Sequence, residues 1–177
     1  SVSRGLGDVY KRQIKNRYSC KKFSSEQIGK DKLDAILEAG RVAPTAKNLQ
    51  EQHIYVVQSE SALETIDKLT PCRYNAPTVL IVAYNKNNVF TYLGDKRNSG
   101  IEDATIVATH LMLAAYNEGV DSCWINFFNP DELAKAFNLP EDEEILMLLD
   151  LGVADKTTTP LPNHNSRKAL TETASFI

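Results

Sequence analysis

Three polar clusters carry side chains that can do chemistry. The first is Arg17-Tyr18-Ser19-Cys20-Lys21-Lys22-Phe23. On an extended segment alternate side chains share a face, so Arg17, Ser19 and Lys21 would point the same way. A guanidinium fork, a hydroxyl and an ammonium together suit a phosphate monoester. By composition alone, a solvated basic loop is the favoured alternative. The second cluster is Ala43-Pro44-Thr45-Ala46-Lys47-Asn48-Leu49-Gln50. Its small residues allow close backbone approach, and the Asn48 and Gln50 amides both donate and accept hydrogen bonds. That suits the edge of a heteroaromatic ring, and a helix-capping turn explains it almost as well. The third is His164-Asn165-Ser166-Arg167-Lys168. Alone it is a charged terminus; Arg167 gains a role only if the tail folds back to the first cluster.

Other reactive constellations are missing. His53, His110 and His164 form no H-E-x-x-H pair and no Cys/His metal spacing, so no metal site is expected. There is no G-x-S-x-G elbow, no phosphate-binding G-x-x-x-x-G-K-[ST] loop and no G-x-G-x-x-G after a strand. His110 lies within an apolar helix and reads as a core or interface histidine. Cys123 beside Trp124 reads as a small hydrophobe, because nothing near it in sequence would depress its pKa. No residue stands out as an acid, base or nucleophile.

Around these clusters the apolar periodicity predicts the scaffold. Lys30–Arg41 has helical spacing, with Pro44 as a stop. Thr45 is placed to cap a second helix from about Ala46. Residues 54–58 read as a strand and 61–69 as a short helix. The segment 76–84 holds an apolar run, 79–82, suited to a strand buried on both faces. Residues 101–118 are apolar nearly all round, which predicts a buried central helix and a subunit interface, with Gly119 as its C-cap. Asp121–Ile125 is a short strand, Asn129-Pro130 opens a helix reaching Phe137, and 145–151 is a further strand. The last segment, 155–177, reads as an extended tail with a short terminal helix. The order gives an α+β or three-layer arrangement around one sheet.

Size and charge bound the class. The chain has 177 residues, with 20 Lys+Arg against 23 Asp+Glu, a formal charge of −3 and a pI near 5.6. It lacks the footprint of a general nucleic-acid binder. No run approaches the ~18–20 apolar residues of a membrane helix. Cys20, Cys72 and Cys123 are too scattered for a disulfide framework, so a cytoplasmic location is the expectation. Residues 3–13 match, residue for residue, one reading frame of a transposase adapter used in DNA library preparation. We expect residues 1–13 to be a sequencing artefact fused to a truncated gene, with the native domain spanning 14–177. Without Arg4, Lys11, Arg12 and Asp8, the balance becomes 17 basic against 22 acidic residues, or −5.

Taken in order, the clusters resemble the nitroreductase family of flavoproteins. Arg17, Ser19, Lys21 and Phe23 match its opening Arg-x-Ser-x-[Arg/Lys]-x-Phe segment. Ala43 to Gln50 match Ala-Pro-[Ser/Thr]-Ala-x-Asn-x-Gln, and Asn75-Ala76-Pro77 match an Asn-Ala-Pro before an apolar strand. Asp103 stands near the start of the long helix, and Gly119 to Trp124 match Gly-[Leu/Val]-x-x-Cys-Trp. Gly152, Arg167 and Lys168 match the closing Gly and basic tail. Two positions depart from the pattern. Glu51-Gln52 stand where the family often has Pro-Trp or Pro-Gln, and Asn126 stands where relatives often carry Gly.

The resemblance implies an α/β/α sandwich around a mainly antiparallel sheet, and a homodimer with FMN at each subunit interface. NADH or NADPH would reduce the flavin, and a nitroaromatic, quinone or enone would take the electrons in the same pocket by ping-pong kinetics. The alternative is a non-catalytic flavin-binding or redox-sensing module. On the matched positions, Arg17, Ser19, Lys21 and Arg167 would contact the phosphate and ribityl chain, with Tyr18 among them. Asn48, beside Gln50, would meet the ring edge. Trp124, Ile125 and Asn126 would lie against the flavin ring, and Pro44, Thr45 and Ala46 would come from the partner subunit. The segment 86–99 reads equally as a substrate lid or a solvated loop.

Overall fold

The apolar run 79–82 forms the middle of a four-stranded sheet in the computed structural model of the chain, which describes residues 12–94 and 96–177. Most of the segment expected to be an artefact, residues 1–11, lies outside that range. The strands are β1 (Gln52–Val57), β2 (Thr78–Asn85), β3 (Asp121–Ile125) and β4 (Glu143–Gly152). Their order is β1-β2-β4-β3, and every neighbouring pair is antiparallel. Besides helical residues 12–16, the helices are α1 (Lys30–Arg41), α2 (Glu60–Leu69), α3 (Gly100–Asn117), α4 (Pro130–Ala136) and α5 (Leu170–Thr173).

The two-residue repeat of β2 sends its side chains alternately to two cores. Leu80 and Val82 pack with Ile36 of α1 and with Val107, Ala108 and Leu111 of α3. Val79, Ile81 and Ala83 pack with Ile66 of α2 and Leu133 of α4. Helices therefore cover both faces of one antiparallel sheet, the expected three-layer α+β sandwich. The strand β4 keeps both layers supplied through a bulge opposite Val82 and Ala83, which lets Ile145 face one core and Met147 the other.

Close packing on the α1 side needs Gly40. A Cβ there would stand 2.7 Å from Leu111 Cδ2, so α1 and α3 could not approach as they do with a larger residue. At the far end of α3, Gly119 has φ +67, and the Val120 and Gly119 amides close onto Ala115 and Tyr116 carbonyls. This is the expected C-terminal stop. Asn129 caps α4 through its side-chain oxygen, which accepts from the Asp131 and Glu132 amides.

The long helix is less enclosed than its composition suggests. One face is fully buried, whereas Ile101 is exposed and Ile106, Met112 and Leu113 are half-buried. A second difference concerns Thr45, which caps no α-helix. Only a 3-10 turn, Ala46–Asn48, follows it, because Lys47, Asn48 and Gln50 adopt positive φ values near 50° and break helical propagation. Strand and helix ends elsewhere shift by one or two residues from expectation, and Lys30–Arg41 and Asp121–Ile125 coincide with it.

Candidate functional site

The first cluster is held against the sheet by backbone pairing. Ser19 bridges Ser122 in parallel register, the Cys20 amide donates to the Ser122 carbonyl at 2.9 Å, and Phe23 bridges Ala154. The segment is thus extended, as the alternation requires. Cys20 and Phe23 turn inward and are buried, while Ser19 and Lys21 face outward. Burial pushes the Cys20 thiol pKa up, and the thiol donates to the Lys22 carbonyl at 3.2 Å.

The C-terminal tail returns to this segment. The Asp155 amide donates to the Lys22 carbonyl at 3.1 Å, and the Thr158 hydroxyl donates to the same oxygen at 2.9 Å. The Lys22 ammonium reaches Asp155 at 3.2 Å and Thr157 Oγ1 at 3.0 Å. Hydrogen bonds from the Thr157 hydroxyl and amide, with Lys22 behind them, pull the Asp155 carboxyl down to about 2. Further along, His164 meets Tyr18 edge-to-face, with ring centroids 6.5 Å apart.

The result is a cavity of about 360 Å³ lined by Arg17, Tyr18, Ser19 and Lys21 together with Leu161, Asn163, His164 and Arg167. Arg167 is oriented by its own turn, where its Nη1 donates to the His164 and Ser166 carbonyls at 2.7 Å each. Lys21 donates to the Tyr74 hydroxyl at 3.3 Å, and this bond raises its pKa, keeping it charged. Three cations and a hydroxyl converge on one opening. Such a donor set has the chemistry of a phosphomonoester receptor.

The next strand brings the Trp124 group alongside. Because Ser19 pairs with Ser122, the end of β3 runs away from the same edge. Trp124 Nε1 donates to Asn126 Oδ1 at 2.7 Å, and Ile125 is buried in the sheet. Asn126 lines a second cavity of about 670 Å³ with Leu69, Phe127, Phe128 and Pro130; Phe127 is largely exposed.

The 44–50 segment stands apart and lines neither cavity of its own chain. Its turn is fixed from beneath: the Ala46 amide donates to Asp103 Oδ1 at 2.9 Å, and the Gln50 amide donates to Thr45 Oγ1 at 3.0 Å. Asn88 Nδ2 donates to the Leu49 carbonyl at 3.1 Å, and Lys47 Nζ stands 4.9 Å from the Phe90 ring centre. The 86–99 segment therefore packs on this turn.

Three acids are buried in ways that the sequence alone did not reveal: Glu51, Asp103 and Asp150. Glu51 and Asp103 are each only 4% exposed, with Glu51 pushed up to about 7 by burial and then by the adjacent Asp103 carboxyl. Asp150, opposite Cys123 in β4, is fully buried without a hydrogen-bond partner; burial holds its carboxyl well above the usual range, with Arg73 opposing. Its signal was present, a carboxylate inside an apolar strand run. Cys123 itself is pushed up to about 12 by burial, which removes it as a nucleophile. Among the described residues, no group of three His, Cys, Asp or Glu side chains is arranged to hold a metal ion, and no helix is long and apolar enough to cross a membrane.

A layered antiparallel sandwich with a cavity lined by Arg17, Ser19, Lys21 and Arg167 narrows the class considerably. The model of the nitroreductase family matches residues 14–72 and 70–153, and the chain belongs to that family. It is similar to a nitroreductase family protein of Clostridium difficile 630 whose crystal structure is known: identity is 32%, the match covers 95% of this chain and 96% of that one, and the TM-score is 0.87. A Bacillus subtilis (strain 168) protein with the provisional name NAD(P)H nitroreductase YodC is 28% identical, over 88% of this chain and 92% of its own length. A crystal structure from Exiguobacterium sibiricum 255-15, described as a nitroreductase in complex with FMN, shares the fold at 20% identity and a TM-score of 0.83, covering 95% and 97%.

Proposed function

We propose that the chain is an FMN-dependent oxidoreductase that passes electrons from NADH or NADPH to a nitroaromatic, quinone or enone acceptor. The observation that carries this reading is the return of Arg167 to Arg17, Ser19 and Lys21 around one cavity. Arg17, Lys21 and Arg167 offset the near-dianionic phosphate of FMN, and Ser19 supplies a neutral donor. Tyr18 walls the phosphate end. Trp124, Ile125 and Asn126 offer backbone and one amide to the ring.

When bound, FMN supplies the two-electron chemistry that no side chain of this protein can perform. The chain's own residues bind and orient. Asn48 and Gln50 present amides for the ring edge, and Lys47 places a cation on the same turn. Their separation from the Arg17 cavity within one chain supports a site completed by Pro44, Thr45, Ala46 and Asn48 of a second copy. The incompletely covered apolar flank of α3, with Ile101 exposed and Ile106 and Met112 half-buried, supports a homodimer. A reducing, cytoplasmic setting suits Cys20, Cys72 and Cys123, all of which are thiols.

Titration of the purified protein with FMN, followed by anaerobic addition of NADH or NADPH, tests the reading. Tight binding with loss of flavin absorbance on reduction is expected. Failure to bind FMN overturns it, and binding without reduction leaves a flavin-binding module instead.

A further inference from the structure

Glu51 and Asp103 sit under the 45–50 turn with more acceptors than donors. The Ala46 amide satisfies Asp103 Oδ1, but Asp103 Oδ2 and both Glu51 oxygens are buried without a well-formed hydrogen bond, although the Ser99 hydroxyl and the Glu51 amide face the Glu51 carboxyl. The two carboxyl groups lie within hydrogen-bonding reach of each other. Two carboxylates cannot bond, because both only accept; one carboxylic acid beside one carboxylate can. Two ionised acids in so dry a place would also repel each other.

What the pair supports is conformationally costly. Lys47, Asn48 and Gln50 all hold positive φ, which disfavours non-glycine residues and persists only where surroundings enforce it. Asp103 grips the turn at Ala46, on its N-terminal side. Glu51 follows its C-terminal end, where the Glu51 carbonyl accepts from the Asn85 amide at 2.8 Å. The Asp103 carboxylate thus holds the N-terminal end of the turn to α3, while the Glu51 backbone holds its C-terminal end to β2 and places the Glu51 carboxyl beside Asp103.

We propose that Glu51 and Asp103 act as a positioning pair sharing one proton, which locks the 45–50 turn in its flavin-binding shape, so that losing the proton loosens the turn and weakens FMN binding. This rests on the FMN reading above. The rise of Glu51 to about 7 places the change near neutral pH. Neighbouring groups are engaged elsewhere: Glu102 with Tyr92, Lys47 over Phe90, Tyr84 with Glu144, and Asp142 with Asn85. Those that face Glu51 are Asp103, which raises its pKa, and its own backbone amide and the Ser99 hydroxyl, which lower it.

The test compares the wild type with Glu51→Gln and Asp103→Asn, each of which replaces the shared proton with an amide donor. Two quantities are followed from pH 6 to 8.5: the FMN Kd, and the amide-exchange protection of Ala46 and Gln50 in the FMN-free protein. Relative to either variant, the wild-type Kd should rise above neutral pH with a limiting slope of one proton, about tenfold per pH unit. Wild-type protection should fall over the same range and stay level in the variants. Dividing by the variants cancels the ionisation of the FMN phosphate itself. If the wild-type and variant profiles run parallel in both quantities, the pair is only structural and the proposal is wrong. Absence of FMN binding at every pH would instead overturn the flavin reading, and the exchange profile would still decide whether the pair controls the turn.

Discussion

The Lys22 ammonium and the Asp155 carboxylate lie 3.2 Å apart where the N-terminal extended segment meets the start of the C-terminal tail. This contact joins residues far apart in sequence and sets the path by which Arg167 reaches Arg17. Its ionic part is partly exposed and weak on its own. The effect of Asp155→Ala should therefore be local: FMN binding weakens a few-fold while the thermal midpoint barely moves. The depressed Asp155 acid contributes above its unfolded pKa and loses that contribution as pH falls through about 2. The Asp155 contribution to docking should persist at pH 4 and be lost only near pH 2, as a small local shift of the His164 ring resonances against Tyr18 rather than release of the tail.

Arg17 is expected to grip the phosphate through its planar fork. Arg17→Ala should weaken FMN binding by ~1.5–3 kcal/mol, the size of a lost charge-assisted contact. Fluorescence titration measures this directly. An unchanged Kd would remove Arg17 from the site.

Gly152 ends β4 in a crowded corner. A Cβ there would stand 2.8 Å from Pro77 Cδ and 2.9 Å from Phe23 Cδ1, and the proline ring cannot yield. Gly152→Ala should cost about 1–3 kcal/mol in urea unfolding through overpacking. The same change displaces Phe23, so FMN affinity should fall with it.

The exposed face of α3 predicts association. Replacing the exposed Ile101 and the half-buried Leu113 with glutamate spares the fully buried Val107, Ala108 and Leu111. Light scattering should then report a monomer that keeps its helical circular dichroism but binds FMN poorly. A folded dimer with both substitutions would move the interface elsewhere.

The sheet and main helices were legible in the sequence because their signals are local. The run 79–82, the spacing in Lys30–Arg41 and the Asn129 cap each settle an element without distant partners. The 45–50 turn was not legible, because its backbone is dictated by Asp103, a residue in another element. Nothing in a single acidic letter distinguishes Glu51, buried beside a second acid, from the exposed Glu60 or Glu64. The candidate site was visible as three separate clusters, but the convergence of Arg167 on Arg17 depended on tail contacts to Lys22 that no periodicity reveals.

On the proposed reading, this chain binds FMN and turns it over with a nicotinamide donor. Anaerobic stopped-flow mixing of the FMN-loaded protein with NADH, and separately with NADPH, tests it most directly. Complete loss of oxidised-flavin absorbance is expected with at least one donor, and its recovery when a quinone or nitroaromatic is added. Flavin that stays oxidised with both donors would contradict it.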